Sequence, residues 1–93
     1  MSRHDDDFRR KVVIAHIRDG RTLASLAAEH GVSKNTVSNW VKAYRIECQT
    51  NDEAKSELEL LEEVRRLRLE MAELENENNF LKKAAAFFAK EID

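Results

Sequence analysis

Lys34, Asn35, Ser38, Asn39 and Lys42 recur at offsets of three and four residues, so on a helix they share one face. Their side chains carry ammonium, amide and hydroxyl groups, and none is acidic. An amide donates and accepts at once, which matches the N6 and N7 edge of adenine in the major groove of a duplex, and an ammonium suits phosphate or guanine. Asn35 and Asn39, one turn apart, are the leading candidates to read bases, with Ser33 and Thr36 on the same segment. Arg9, Arg10, Lys11, Arg21 and Arg45 are candidates for flanking phosphates, contacts that fix register without reading sequence. The plain alternative is a solvated helix face, as polar stripes usually are.

Other chemistry finds little footing. His4, His16 and His30 have no carboxylate or cysteine partner at ligand spacing, so no metal site is expected. Cys48 is the single cysteine, which leaves no intrachain disulfide and no cysteine-based metal site. Asp5, Asp6 and Asp7 would point in different directions on a helix and suit its N-terminus. No spaced acidic triad sits on a plausible scaffold, so no catalytic residue and no cofactor are expected. Trp40 falls in an apolar set, which favours core packing over a stacking platform.

The elements that must position the polar face can be read from periodicity and punctuation. Phe8, Val12, Ala15 and Ile17 predict a helix from about Asp6 to Asp19, with Gly20 as its stop. Thr22 caps "LASLAAEH", Gly31 ends it, and Ser33 caps "KNTVSNWVKAY". In the third helix Val37, Trp40, Val41 and Tyr44 supply the core, which turns the polar set outward. The second and third helices together read as a helix-turn-helix, a motif that lays its second helix in the major groove.

A different pattern follows. "IECQTNDEAKS" lacks periodicity and marks a boundary, with Thr50 and Glu53 spaced as a capping box for a long helix starting near residue 51. Leu60, Leu67, Leu74, Leu81 and Phe88 then recur every seven residues as d positions, alternating with Val64, Met71, Asn78, Ala85 and Ile92 as a positions. This 4-3 spacing predicts a left-handed coiled coil. A single Asn at an a position lowers stability but sets register and strand number, so Asn78 reads as the pin of a parallel dimer, a homodimer or a pair of unlike chains; the alternative is a polar residue tolerated where another helix covers the seam. Between two parallel copies Glu63 would face Arg68 and Glu77 would face Lys82, both attractive, whereas Glu70 would face Glu75. Phe80 and Phe87 lie at c positions outside the seam, and with Ala84, Ala86 and Phe88 they suggest a further docking surface for more subunits or a larger partner.

The predicted architecture is all-α: a three-helix helix-turn-helix domain over 1–46, a linker and helix start over 47–56, and a leucine-zipper helix over 57–93. Composition agrees, with 37% charged residues, two glycines and no proline in 93 residues. A chain this short leaves no room for a large active-site cleft. Residues 1–48 carry nine Lys/Arg against six Asp/Glu, and residues 49–93 carry seven against twelve, so the halves are suited to different partners. No apolar run approaches bilayer length and the opening "MSRHDDDFRR" lacks a signal-peptide stretch, which makes no membrane contact and a cytoplasmic location the expectation.

"DDFRRKVV", "SLAAEHGVSKNTVSNWVKAY" and above all "EVRRLRLEMAELENENNFLKKAAAFFAKE" resemble OrfA, the first-frame subunit of insertion-element transposases of the IS-three family, over nearly the whole chain. The resemblance implies a bacterial, nucleoid-associated subunit that binds the terminal inverted repeats of double-stranded DNA. It also implies a zipper dimer and a larger catalytic transposase product that carries the acidic triad in a separate or frameshift-fused domain. Carried over by position, Lys34, Asn35, Thr36, Ser38, Asn39 and Lys42 would touch the repeat, while Leu60, Val64, Leu67, Met71, Leu74, Asn78 and Leu81 would hold the dimer. Two other readings stay open at this point: a small stand-alone helix-turn-helix transcriptional regulator, and a coiled-coil adaptor with no DNA affinity.

Overall fold

The computed structural model describes residues 6–91; His4, Asp5 and Ile92 lie outside them. Four helices follow one another: α1 (Asp6–Asp19), α2 (Leu23–His30), α3 (Lys34–Thr50) and α4 (Asp52–Glu91). The fold is all-α, as the periodicity predicts.

Local chemistry sets the first three boundaries where the sequence places them. Gly20 and Gly31 adopt φ of +72° and +67°, a left-handed conformation that ends α1 and α2 and that side-chain-bearing residues avoid. The Thr22 hydroxyl accepts the N–H of Ser25 at 3.0 Å, and the Ser33 hydroxyl accepts that of Thr36 at 3.0 Å. Each cap satisfies one of the orphan donors at a helix start.

α1 lies between two apolar clusters and feeds both. Val12 joins Leu26, Ala27 and Val37 on the α2–α3 side. Val13 and Ile17 join Val41, Tyr44, Cys48 and Leu61 on the side that α4 covers. Half-buried Leu23 and Trp40 touch both clusters, and the Trp40 ring meets Phe8 edge-on at 5.9 Å. Trp40 is a packing residue here.

The corner between α3 and α4 departs from the expected linker. Val41, Tyr44 and Cys48 continue the buried stripe of α3, and burial at that spacing keeps the backbone helical through Thr50. The break is Asn51 alone. Its N–H bonds the carbonyl of Glu47 at 3.0 Å, and its Oδ1 accepts the N–H groups of Glu53 (3.0 Å) and Ala54 (3.2 Å). The capping role assigned to Thr50 thus falls to Asn51, because Thr50 is still inside α3 and its hydroxyl donates back to the Glu47 carbonyl.

From that corner α4 runs back along α3 and beside α1. Cys48 donates its thiol to the Ala54 carbonyl at 3.3 Å, Tyr44 donates its hydroxyl to Glu57 Oε1 at 2.6 Å, and Leu61 joins Val41 and Ile17 in the core cluster. On the α1 side Arg10 pairs with Glu57, and Asp19 pairs with Arg68. Gly20 closes over the Arg65 guanidinium, where any Cβ would collide with it. The stripe Ala54, Leu58, Leu61 and Arg65, at helical spacing, therefore makes the root of α4 a fourth helix of the head.

Beyond Arg65 every described residue of α4 except half-buried Ala84 is exposed. The molecule measures 70 × 32 × 18 Å, with a radius of gyration of 19.7 Å. A compact chain of this length would have a radius of about 12 Å. A head of four packed helices thus carries a projecting rod.

Candidate nucleic-acid interface

α3 owes its position to Val37, fully buried between α1 and α2, and to Val41 and Tyr44, buried against α1 and α4. With that stripe inward, the structure leaves Lys34, Asn35, Asn39 and Lys42 exposed and Ser38 and Thr36 half-buried on the outer side. Asn35, Asn39, Lys34 and Lys42 have no hydrogen-bond or ion-pair partner among the described residues. Ser33 and Thr36 differ, since their hydroxyls bond each other at 2.7 Å while the Ser33 hydroxyl also caps the helix. Those two hydroxyls serve the turn, so a contact from them would compete with the cap.

Electrostatics favour an anion on this side. Neither α2 nor α3 has an acidic residue in its first turn, whereas α1 begins with Asp6 and Asp7 and α4 with Asp52 and Glu53. The positive ends of the α2 and α3 dipoles are thereby uncompensated.

The arginines expected at phosphates are partly engaged. Arg21 donates to Ser25 Oγ at 2.7 Å and to Glu29 at 2.5 Å, and its guanidinium holds the Glu29 carboxyl below the usual range. Arg45 lies 4.0 Å from Glu62, and Arg10 is held by Glu57. Arg9 and Lys11 are exposed and pair with no acid among the described residues. A phosphate would have to displace a carboxylate at Arg10, Arg21 and Arg45 but not at Arg9 or Lys11.

His16 and His30 are structural. His16 Nδ1 donates to the Arg21 carbonyl at 2.7 Å, and His30 packs edge-on to Phe8 at 5.1 Å. Among the described residues no cluster of His, Cys, Asp and Glu could hold a metal ion, and no helix is long and apolar enough to cross a membrane.

On the rod, Leu60, Met71, Leu74, Leu81 and Phe88 are each more than half exposed, Leu67 is 44% exposed, and Val64 is half-buried at the root. Asn78 and Ala85 are exposed in the same line. Three of the ionic groups assigned to face a second copy, Glu63, Arg68 and Glu70, have partners within the chain. Arg66 binds Glu63 and Glu70 one turn away, and Arg68 binds Asp19. Sequence reasoning missed Asp19, Glu57 and Leu61, which fasten the rod to the head. The signal available was the Ala54, Leu58, Leu61 stripe, which runs beside the heptad line.

A buried scaffold that turns a polar, acid-free helix face outward after a tight turn defines a helix-turn-helix protein of the duplex-binding class. The family model described as Transposase, a helix-turn-helix model, matches residues 1–86, and the chain belongs to that family. Membership gives it a DNA-binding role in transposition. The chain is also similar to a protein of Escherichia coli (strain K12) named "Putative transposase YkgN", 29% identical over 83 residues, which cover 89% of this chain and 71% of the relative. No solved structure matches it.

Proposed function

We propose that this chain is the DNA-recognition and self-pairing subunit of an insertion-element transposase, of the OrfA kind found in the IS-three family. It binds double-stranded DNA at the terminal inverted repeats, with α3 in the major groove, Asn35 and Asn39 on base edges, and Lys34 and Lys42 on phosphate or guanine. Arg21 and Arg45 exchange their carboxylates for flanking phosphates. The line Leu60, Val64, Leu67, Met71, Leu74, Asn78, Leu81, Ala85 and Phe88 pairs two copies in parallel, so that two heads read two half-sites. Bond-breaking chemistry belongs to a larger catalytic product, and the complex works on the bacterial nucleoid in the cytoplasm.

The observation that carries this reading is the outer face of α3, where four polar side chains stand exposed with no partner among the described residues. Side chains free of internal bonds lose nothing of the fold when they bond a base. Selection from a random duplex pool by the purified full-length chain tests it. The expected result is two similar half-sites in the recovered sequences; recovery of unrelated sequences at modest salt would overturn it.

A further inference from the structure

The c and g positions of α4 form a second line next to the heptad seam. Along the rod this line reads Glu59, Glu63, Arg66, Glu70, Glu73 and Glu77, then switches abruptly to Phe80, Ala84 and Phe87 before ending on Glu91. Phe80 and Phe87 are 68% and 60% exposed, comparable with Leu81 at 57% and Phe88 at 62% in the seam itself. Between Leu67 and Asn78 the apolar arc spans only the a and d positions, apart from single residues Leu69 and Ala72. From Phe80 on it spans a, c, d and g, with the large apolar side chains confined to those positions and Asn79, Lys82, Lys83 and Lys90 on the opposite side beside the small Ala86 and Ala89.

Arc width decides strand number. An a/d arc, two positions in seven, is buried by one neighbour, and an arc of three or more needs a bundle in which each helix meets two neighbours. One chain cannot be two-stranded below and bundled above unless pairs join pairs. We propose that residues 80–91 unite two seam-paired dimers into a four-chain bundle, with Phe80, Ala84 and Phe87 making the second contact. This rests on the seam pairing proposed above.

Area and charge both point to a second pair as the occupant. With a phenylalanine side offering about 100–150 Å² at these exposures, one strand presents roughly 200–300 Å², well under the ~800 Å² per partner of a specific interface. Four strands together approach about 1,000 Å², the lower bound for such a contact. The contact also ends where repulsion begins, because the five glutamates in the lower part of the line would face like charges. Lys82, Lys83 and Lys90 remain outside the bundle, in water.

Sedimentation equilibrium of the full-length chain, beside a Phe80→Gln/Phe87→Gln double variant whose helicity is checked by circular dichroism, decides the matter. The wild type is expected at four chains and the double variant at two, a twofold fall in mass with the helix content unchanged. A wild type that stays at two chains at every concentration overturns the four-chain assembly and leaves the seam intact. If that two-chain protein co-sediments with vesicles of phosphatidylethanolamine and phosphatidylglycerol, the aromatic line serves a lipid surface instead. A double variant that still runs at four chains also overturns the proposal, and single chains for both proteins would sink the seam reading with it.

Discussion

Asn35 and Asn39 project from α3 with no side-chain partner among the described residues, whereas the Oδ1 of Asn51 takes two backbone N–H groups at the α3–α4 corner. The contrast separates residues available to a ligand from residues spent on the fold. Asn35→Ala and Asn39→Ala should each weaken binding to the selected site about 5- to 100-fold while leaving affinity for random DNA nearly unchanged. Lys42→Ala should instead lower both and reduce the salt slope by about one; fluorescence anisotropy titrations on the two duplexes at several salt concentrations check this. At the end of α1 the Arg18 guanidinium, helped by Arg68, holds Asp19 well below the usual carboxylate range, to about 2. Its charged form is thus favoured in the folded state. The stabilisation is present above about pH 4 and is lost as the pH falls toward 2. The carboxylate is near the surface, so the effect should stay below about 1 kcal/mol, and urea midpoints measured from pH 5 to 2 should show Asp19→Asn flatter than wild type. The caps at Thr22 and Ser33 were legible because capping is local chemistry. Thr50 misled because its spacing to Glu53 satisfies the capping pattern, and only the continued burial of Cys48 tells that α3 has not yet ended.

Helix α4 serves two masters along one length. Its root turns Leu61 into the head's core at 9% exposure, while its neighbour Leu60 is 67% exposed and belongs to the heptad line. Adjacent leucines therefore answer to different equilibria. Leu61→Ala should destabilise the head by about 2–4 kcal/mol at any protein concentration. Leu60→Ala should leave the head intact and shift the concentration dependence of the melting temperature, which calorimetry over a dilution series reads directly. The heptad count revealed the rod but hid the root, since periodicity shows that a face must be covered and not whether the cover is the chain's own head or a second copy. All four helices were visible in the sequence. The return of α4 along α3 was not, because the contacts of Glu57 with Arg10 and Tyr44 join positions far apart in sequence.

At the scale of the whole molecule, the rod leaves a four-helix head through the Asp19–Arg68 pair and the Gly20–Arg65 contact. Paired rods would carry two heads whose polar α3 faces have a set orientation, a geometry the outline of 70 × 32 × 18 Å accommodates. In the proposed pairing, the choice of two strands below Phe80 would fall to Asn78. Asn78→Leu should raise the melting temperature and admit additional stoichiometries, read by light scattering as a mass distribution broader than that of the wild type. An unchanged single mass would remove Asn78 from that role. Because α4 is one uninterrupted helix from its buried root to its exposed tip, head and rod also share a common winding phase. Adding one residue near Met71 would swing the tip by about 100° about the helix axis, whereas adding seven would nearly restore the facing and lengthen the rod by about 10 Å. In the proposed pair, the sequence of the rod would thereby set the angle at which two heads approach a duplex, even though none of its residues is assigned to a base.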